Sequence, residues 1–260
     1  TYFHFLFEMF MTLLYYDKKT LNSSVIVHGA FMTGLFKELL SILDIQIRKH
    51  KTIRSPILVK LLHISTPTRF CEANPNGILH FKSVILKKLD IENLPATEFV
   101  LYNRVGQQNR KIRNFQETLN SLGRAFPNIN FLTVPESYTS YVEQIKFWRK
   151  VKCLATVHCS ILTNLVYMHP NSVYIEYTIP MCATAGASLV KTLGIQMYSI
   201  QFPRQERNRW LIVEIPALIN AIEIAIKFLD SHDLTLVCLN FLDIVFFISF
   251  FFKVVFVTGE

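Results

Sequence analysis

The feature that most limits what this chain can fold into is residues 151–177, VKCLATVHCSILTNLVYMHPNSVYIEY. Residues 153–157 form a short apolar, β-prone run that stops abruptly at His158. Beyond it Ile161, Leu162, Leu165, Val166 and Met168 recur at helical spacing until Pro170, which cannot continue a helix. Asn171 and Ser172 read as a turn and residues 173–175 as a second strand. The whole is a β-loop-α-β unit, and such units force their strands to pair in parallel. Ligands of α/β sheets gather at the carboxyl ends of strands, where the free N–H groups of the next helix favour an anion. His158, Cys159, Ser160 and Thr163 fall at that point. Glu176 ends the following strand about 20 residues on, where α/β nucleotide sites often keep an acid for ribose hydroxyls.

The same alternation extends to both sides. Strand-like runs at 99–103, 127–134 and 196–200 alternate with helical patterns at 115–126, 139–150 and 183–193, which predicts a doubly wound, Rossmann-like domain. Ser137 or Thr139, with Glu143 following, is the expected cap of the 139–150 helix. Residues 210–215 are again strand-like, and 216–229 read as an amphipathic closing helix. Upstream, strands at 24–27 and 45–47 flank a helix at 31–43, with His28, Gly29 and Ala30 at a strand-to-helix turn. Residues 49–60 are basic and read as exposed, residues 58–64 as a strand and 77–89 as a helix. Residues 90–95 are polar and end in Pro95, which marks the candidate domain boundary. The expected organisation is a partial N-terminal α/β domain over 1–95, a nucleotide-binding domain over 96–230 and an apolar tail over 231–260.

Both ends of the chain are unusual. It opens at Thr1 within an apolar stretch, as a fragment would. Residues 2–16 read as a helix that places His4 and Glu8 one turn apart on one face. That pair suits either a capped histidine in a core or a general base with its orienting partner. Residues 234–257 are almost wholly apolar, broken by Asn240, Asp243 and Lys253. The run is long enough to span a bilayer, although an aspartate near its centre is costly there. A transmembrane tail and an unnatural tail from a mispredicted gene model both stay open.

A net charge of +8 over 260 residues suits an anionic partner. The basic residues are dispersed, with a local group only at Arg104, Arg110, Lys111 and Arg113, which favours a small anion over a polynucleotide track. Arginines there could grip a pyrophosphate bidentately. The five cysteines form neither a C-x-x-C pair nor a zinc pattern. One glycosylation acceptor, Asn22-Ser23-Ser24, would be usable in a secretory compartment. Asp-x-Asp is absent, Asp90-Ile91-Glu92 being the nearest approach. A site that neutralised diphosphate with a metal would want such carboxylates, so no metal and no resident cofactor are expected.

Several of these blocks together resemble glycosyltransferase family 61. They are Arg104 with Arg110, Ile112 and Asn114; then Ser137 with Glu143-Gln144-Ile145; then His158 leading to Leu162-Thr163-Asn164, Pro170 and a strand ending in Glu176. The order is the family's over residues 99–230, and the His4-to-Glu8 stretch is similar to its early His-x-x-x-acid helix. The resemblance implies a GT-B architecture, two Rossmann-like domains facing a cleft. It implies an inverting transfer from a UDP-sugar of the xylose, arabinose or N-acetylglucosamine type to a hydroxyl of a glycoprotein or glycan, in a membrane-associated enzyme of the Golgi or endoplasmic reticulum. Arg104, Arg110, Asn114, His158, Ser160, Thr163, Asn164 and Glu176 would then hold the donor, and His4 or Glu8 would serve as base. Two departures stand out: the family's His-Gly-Ala is His158-Cys159-Ser160, and its Pro-Gly turn is Pro170-Asn171. The rival readings are a catalytically inactive, lectin-like relative and a basic α/β protein that binds nucleic acid.

Overall fold

The computed structural model describes residues 6–7, 10–23, 25–28, 33–45, 49–52, 74–104, 110–178, 183–201, 211–231 and 255–257. The chain divides into two compact units that are not linear blocks. Unit 1 is Thr1–Leu94 with Tyr138–Trp148 and Ser160–Tyr167; unit 2 is Pro95–Ser137, Arg149–Cys159 and Met168–Glu260. The cut at Leu94/Pro95 falls at the Pro-terminated polar stretch. The linear partition into 1–95 and 96–230 does not describe the two later returns to unit 1.

Unit 2 is built on a parallel sheet. Strands β3 (Glu98–Tyr102), β4 (Phe131–Leu132), β5 (Val151–Val157), β6 (Val173–Thr178) and β7 (Gln196–Gln201) run in the order β4-β3-β5-β6-β7, with a three-residue β8 (Val255–Val257) beyond β7. Every pairing is parallel. All of β6 is buried, and β5 is buried except at Lys152, as expected of central strands covered on both faces. Helices α4 (Phe115–Ala125) and α7 (Ile215–Asp230) cover the face that carries Cys153, Ala155, Val157, Val173 and Ile175. In α7, Ala217, Leu218, Ala221, Ile222 and Ala225 make one apolar stripe whose small members let the helix approach the sheet closely. Helix α6 (Ala183–Leu193) precedes β7 and packs against it.

Unit 1 contains helices α1 (Lys18–Ser23), α2 (Thr33–Ile42), α3 (Pro75–Lys88) and most of α5 (Tyr141–Arg149), a parallel pair β1 (Val25–His28) and β2 (Lys49–Thr52), and 3-10 helices at Phe10–Tyr15 and Ser160–Tyr167. Helix α3 begins where Asn74 accepts from the N–H groups of Asn76 and Gly77, with Pro75 in its first turn. Its buried stripe of Ile78, Phe81, Ile85 and Leu86 meets an aromatic chain. Phe81 packs on Phe10 and Tyr167 with ring centroids 6.3 Å apart in both pairs, and Tyr167 meets Tyr141 edge-on at 6.1 Å. These four rings are part of the core of unit 1.

Several expectations need correction. Ser160–Tyr167 is a 3-10 helix grouped with unit 1, where a helix over 160–168 between two sheet strands was expected. The 127–134 strand shrinks to Phe131–Leu132, and Glu176 is interior because β6 runs on to Thr178. The start of the basic 49–60 stretch is strand β2. The cap of α5 is Ser140, whose hydroxyl accepts from the N–H of Glu143, while Glu143 reaches back to the N–H of Thr139 at 3.2 Å. Of 210–215, Leu211 makes a parallel bridge to Ile112. The strand over 58–64 lies outside the described residues, as does 234–257 except for β8. Among the described residues no helix is long and apolar enough to cross a membrane.

Candidate functional site

Chain order locates the site. After β3 the chain crosses to β4 on one side, then returns to lay β5, β6 and β7 on the other. The direction therefore reverses between β3 and β5, and the crevice at a topological switch point is where doubly wound sheets bind ligands. The carboxyl ends there are Tyr102, leading through Asn103 to Arg104, and Val157, leading to His158. Register sets Tyr102 beside Thr156, Thr156 beside Glu176 and Glu176 beside Ser199, a polar row across four strands on one face.

His158 is held from three sides. Its N–H donates to the carbonyl of Tyr177 at 3.2 Å, its carbonyl accepts from Nη1 of Arg110 at 3.3 Å, and its Nδ1 lies 3.1 Å from Oε2 of Glu176. The histidine side chain keeps 13% exposure and the glutamate none. The Tyr174 hydroxyl also donates to Oε2 of Glu176, and Thr178 Oγ1 donates to Oε1 at 3.2 Å. Above the carboxylate α6 offers Gly186, where a Cβ would come within 3.1 Å of Oε2. Glu176, expected to take ribose hydroxyls, is fully buried, and both of its oxygens accept from neighbouring side chains.

The loop carrying the arginines is fastened by two asparagines. Asn103 accepts from the N–H of Ile112 at 2.8 Å and donates to its carbonyl at 3.0 Å. Asn114 does the same to Val213, at 2.9 Å in each direction. Between them Leu211 donates to the Lys111 carbonyl and accepts from the N–H of Arg113. Asn114, expected to contact the donor, is a backbone clamp instead. Arg110 stands in the left-handed region with φ 61, a strained setting for a non-glycine residue. The charge of Arg104 reaches the half-buried Tyr102 hydroxyl: burial and the neighbouring Cys159 push that phenol up, and Arg104 opposes them.

Cys159, where the family pattern has glycine, is buried. Among the described residues positive φ is confined to Asp44, Asp90, Arg110, Asn171 and Gly194, so the backbone at Cys159 makes no demand for glycine. Asn171 does take up the left-handed turn, with φ 64. Tyr174 is raised well above the ordinary phenol value by burial, then by the Glu176 carboxylate, with Cys159 adding to it.

The other expected residues are placed differently. Ser160 is exposed at the start of its 3-10 helix in unit 1. Thr163 and Asn164 are buried; Thr163 bonds back to the Ser160 carbonyl at 2.8 Å, and Asn164 accepts from Gln144 Nε2 of α5 at 2.8 Å. These two organise unit 1 rather than present polar groups outward. His4 and Glu8 lie outside the described residues. Asn103, Tyr174, Thr178 and Gly186 were missed. The alternation Tyr174-x-Glu176-x-Thr178 was the available signal, since residues two apart share a strand face.

Among the described residues no group of three His, Cys, Asp or Glu side chains could hold a metal ion. The family model described as Glycosyltransferase 61 matches residues 2–175. No curated protein matches the chain significantly.

Proposed function

The chain belongs to glycosyltransferase family 61, and on that premise we propose that it is an inverting transferase. It would move a sugar of the xylose, arabinose or N-acetylglucosamine type from UDP to a hydroxyl of a glycoprotein or glycan. The reaction is a direct displacement. The acceptor oxygen bonds to the anomeric carbon as a base takes its proton, and the bond from that carbon to the diphosphate oxygen breaks, releasing UDP. Arg104, Arg110 and His158 counter the charge that builds on the diphosphate, which needs preorganised donors where the charge develops. Ser160 offers its N–H at the same turn of the sequence. His4 or Glu8 serves as base, in a GT-B arrangement of two Rossmann-like domains facing a cleft. No resident cofactor takes part, and the enzyme works on the membranes of the secretory pathway.

One observation carries the donor half of this reading: Arg110 donates to the His158 carbonyl beside the switch point of the parallel sheet. Incubation with a panel of UDP-sugars, followed by detection of free UDP and of the anomeric configuration of the product, tests it. Turnover with inversion is the expected result. UDP binding without turnover of any donor would favour the inactive, lectin-like relative, for which the His158-Cys159-Ser160 departure speaks. Indifference to UDP would remove the reading altogether.

A further inference from the structure

We propose that Glu176 is a positioning residue for His158 and does not itself touch the ligand. Three observations made independently of any ligand lead there. The carboxylate is fully buried. Both of its oxygens accept, from Tyr174 and His158 on one and from Thr178 on the other. Gly186 flanks Oε2 on the helix side, where an added Cβ would stand 3.1 Å away and the carboxylate would have to give by a few tenths of an ångström.

The consequence concerns the imidazole. An acceptor held at 3.1 Å from Nδ1 assigns the donor role to that nitrogen, fixing the tautomer and the plane of the ring. Nε2, on the opposite edge, is then the nitrogen turned from Glu176 and offered to a ligand. Arg110 fixes the same residue through its carbonyl, so His158 is oriented by backbone and by side chain at once. The polar triplet Tyr174, Glu176 and Thr178 is a support for one histidine, built on one face of β6.

Only the ligand arm of the test rests on the donor-site reading. Nitrogen NMR of the imidazole is expected to show His158 protonated at Nδ1 in the unaltered chain, and a shift of the proton toward Nε2 in Glu176→Gln. UDP should bind that variant roughly tenfold more weakly, the scale of a lost hydrogen bond to a charged group. Uridine, which lacks the diphosphate, should bind as before. In a His158→Ala background Glu176→Gln should cost nothing further, since its effect passes through the ring. An unchanged tautomer, an equal loss for uridine and UDP, or additive losses would each overturn the proposal. If the unaltered chain binds neither UDP nor uridine, the donor-site reading fails while the imidazole spectrum still decides the role of Glu176.

Discussion

Arg110 shows how a single position can trade stability for a side chain. A left-handed φ of 61 costs a non-glycine residue about 1 kcal/mol relative to glycine, yet an arginine stands there. Arg110→Gly should therefore unfold at the same or slightly higher denaturant concentration while UDP affinity falls at least tenfold, a loss of about 1.4 kcal/mol. Arg110→Lys keeps the charge and loses the fork geometry, so calorimetry should find its affinity between the two. An Arg110→Gly protein that bound UDP unchanged would separate this arginine from the site. The residue was legible as part of a basic group, but its left-handed backbone was not, because nothing in the side-chain type of an arginine signals φ.

At the scale of elements, much of the recognisable pattern is scaffold. Ile112 is buried, Asn114 clamps Val213, Gln144 holds Asn164, Ile145 lies in the core of unit 1 and Glu143 caps α5. Spacing alone does not distinguish a side chain that meets a ligand from one that satisfies a neighbouring backbone. Asn114→Ala leaves the N–H and carbonyl of Val213 without their partner and should destabilise the chain by about 2 kcal/mol, measured by urea unfolding. Asn114→Asp retains the acceptor for the Val213 N–H and should lose less. Equal stability of all three proteins would show that water replaces the clamp at no cost.

At the scale of the whole molecule, the sheet of unit 2 buries several weak acids. Burial pushes the Cys153 thiol on β5 from its ordinary 9.0 up to about 12. It raises Tyr198 on β7 from 10.0 to about 12, with Cys153 adding to the effect, and raises Tyr174 and Tyr177 on β6 as well. A folded-state value above the unfolded one stabilises the fold fully below the unfolded value, and that contribution disappears as pH climbs through the folded one. Stability should thus hold up to about pH 9 and fall steadily toward about pH 12, followed by thermal melting across that range. Cys153 should stay unreactive to alkylating reagents at pH 8 until the chain unfolds.

The sequence by itself determined the alternation of strands and helices from β3 to β7 and the parallel pairing. Those follow from local periodicity, from Pro170 and from the handedness of β-α-β connections, none of which needs distant residues. Tertiary structure decided the return of 138–148 and 160–167 to unit 1, the 3-10 form of Ser160–Tyr167 and the burial of Glu176 beneath Gly186. Those depend on which faces meet, and a residue's exposure is fixed by neighbours far away in the chain. Glu176 is enclosed by two hydroxyls of its own strand, by His158 and by a glycine on a later helix, neighbours that no local pattern brings together.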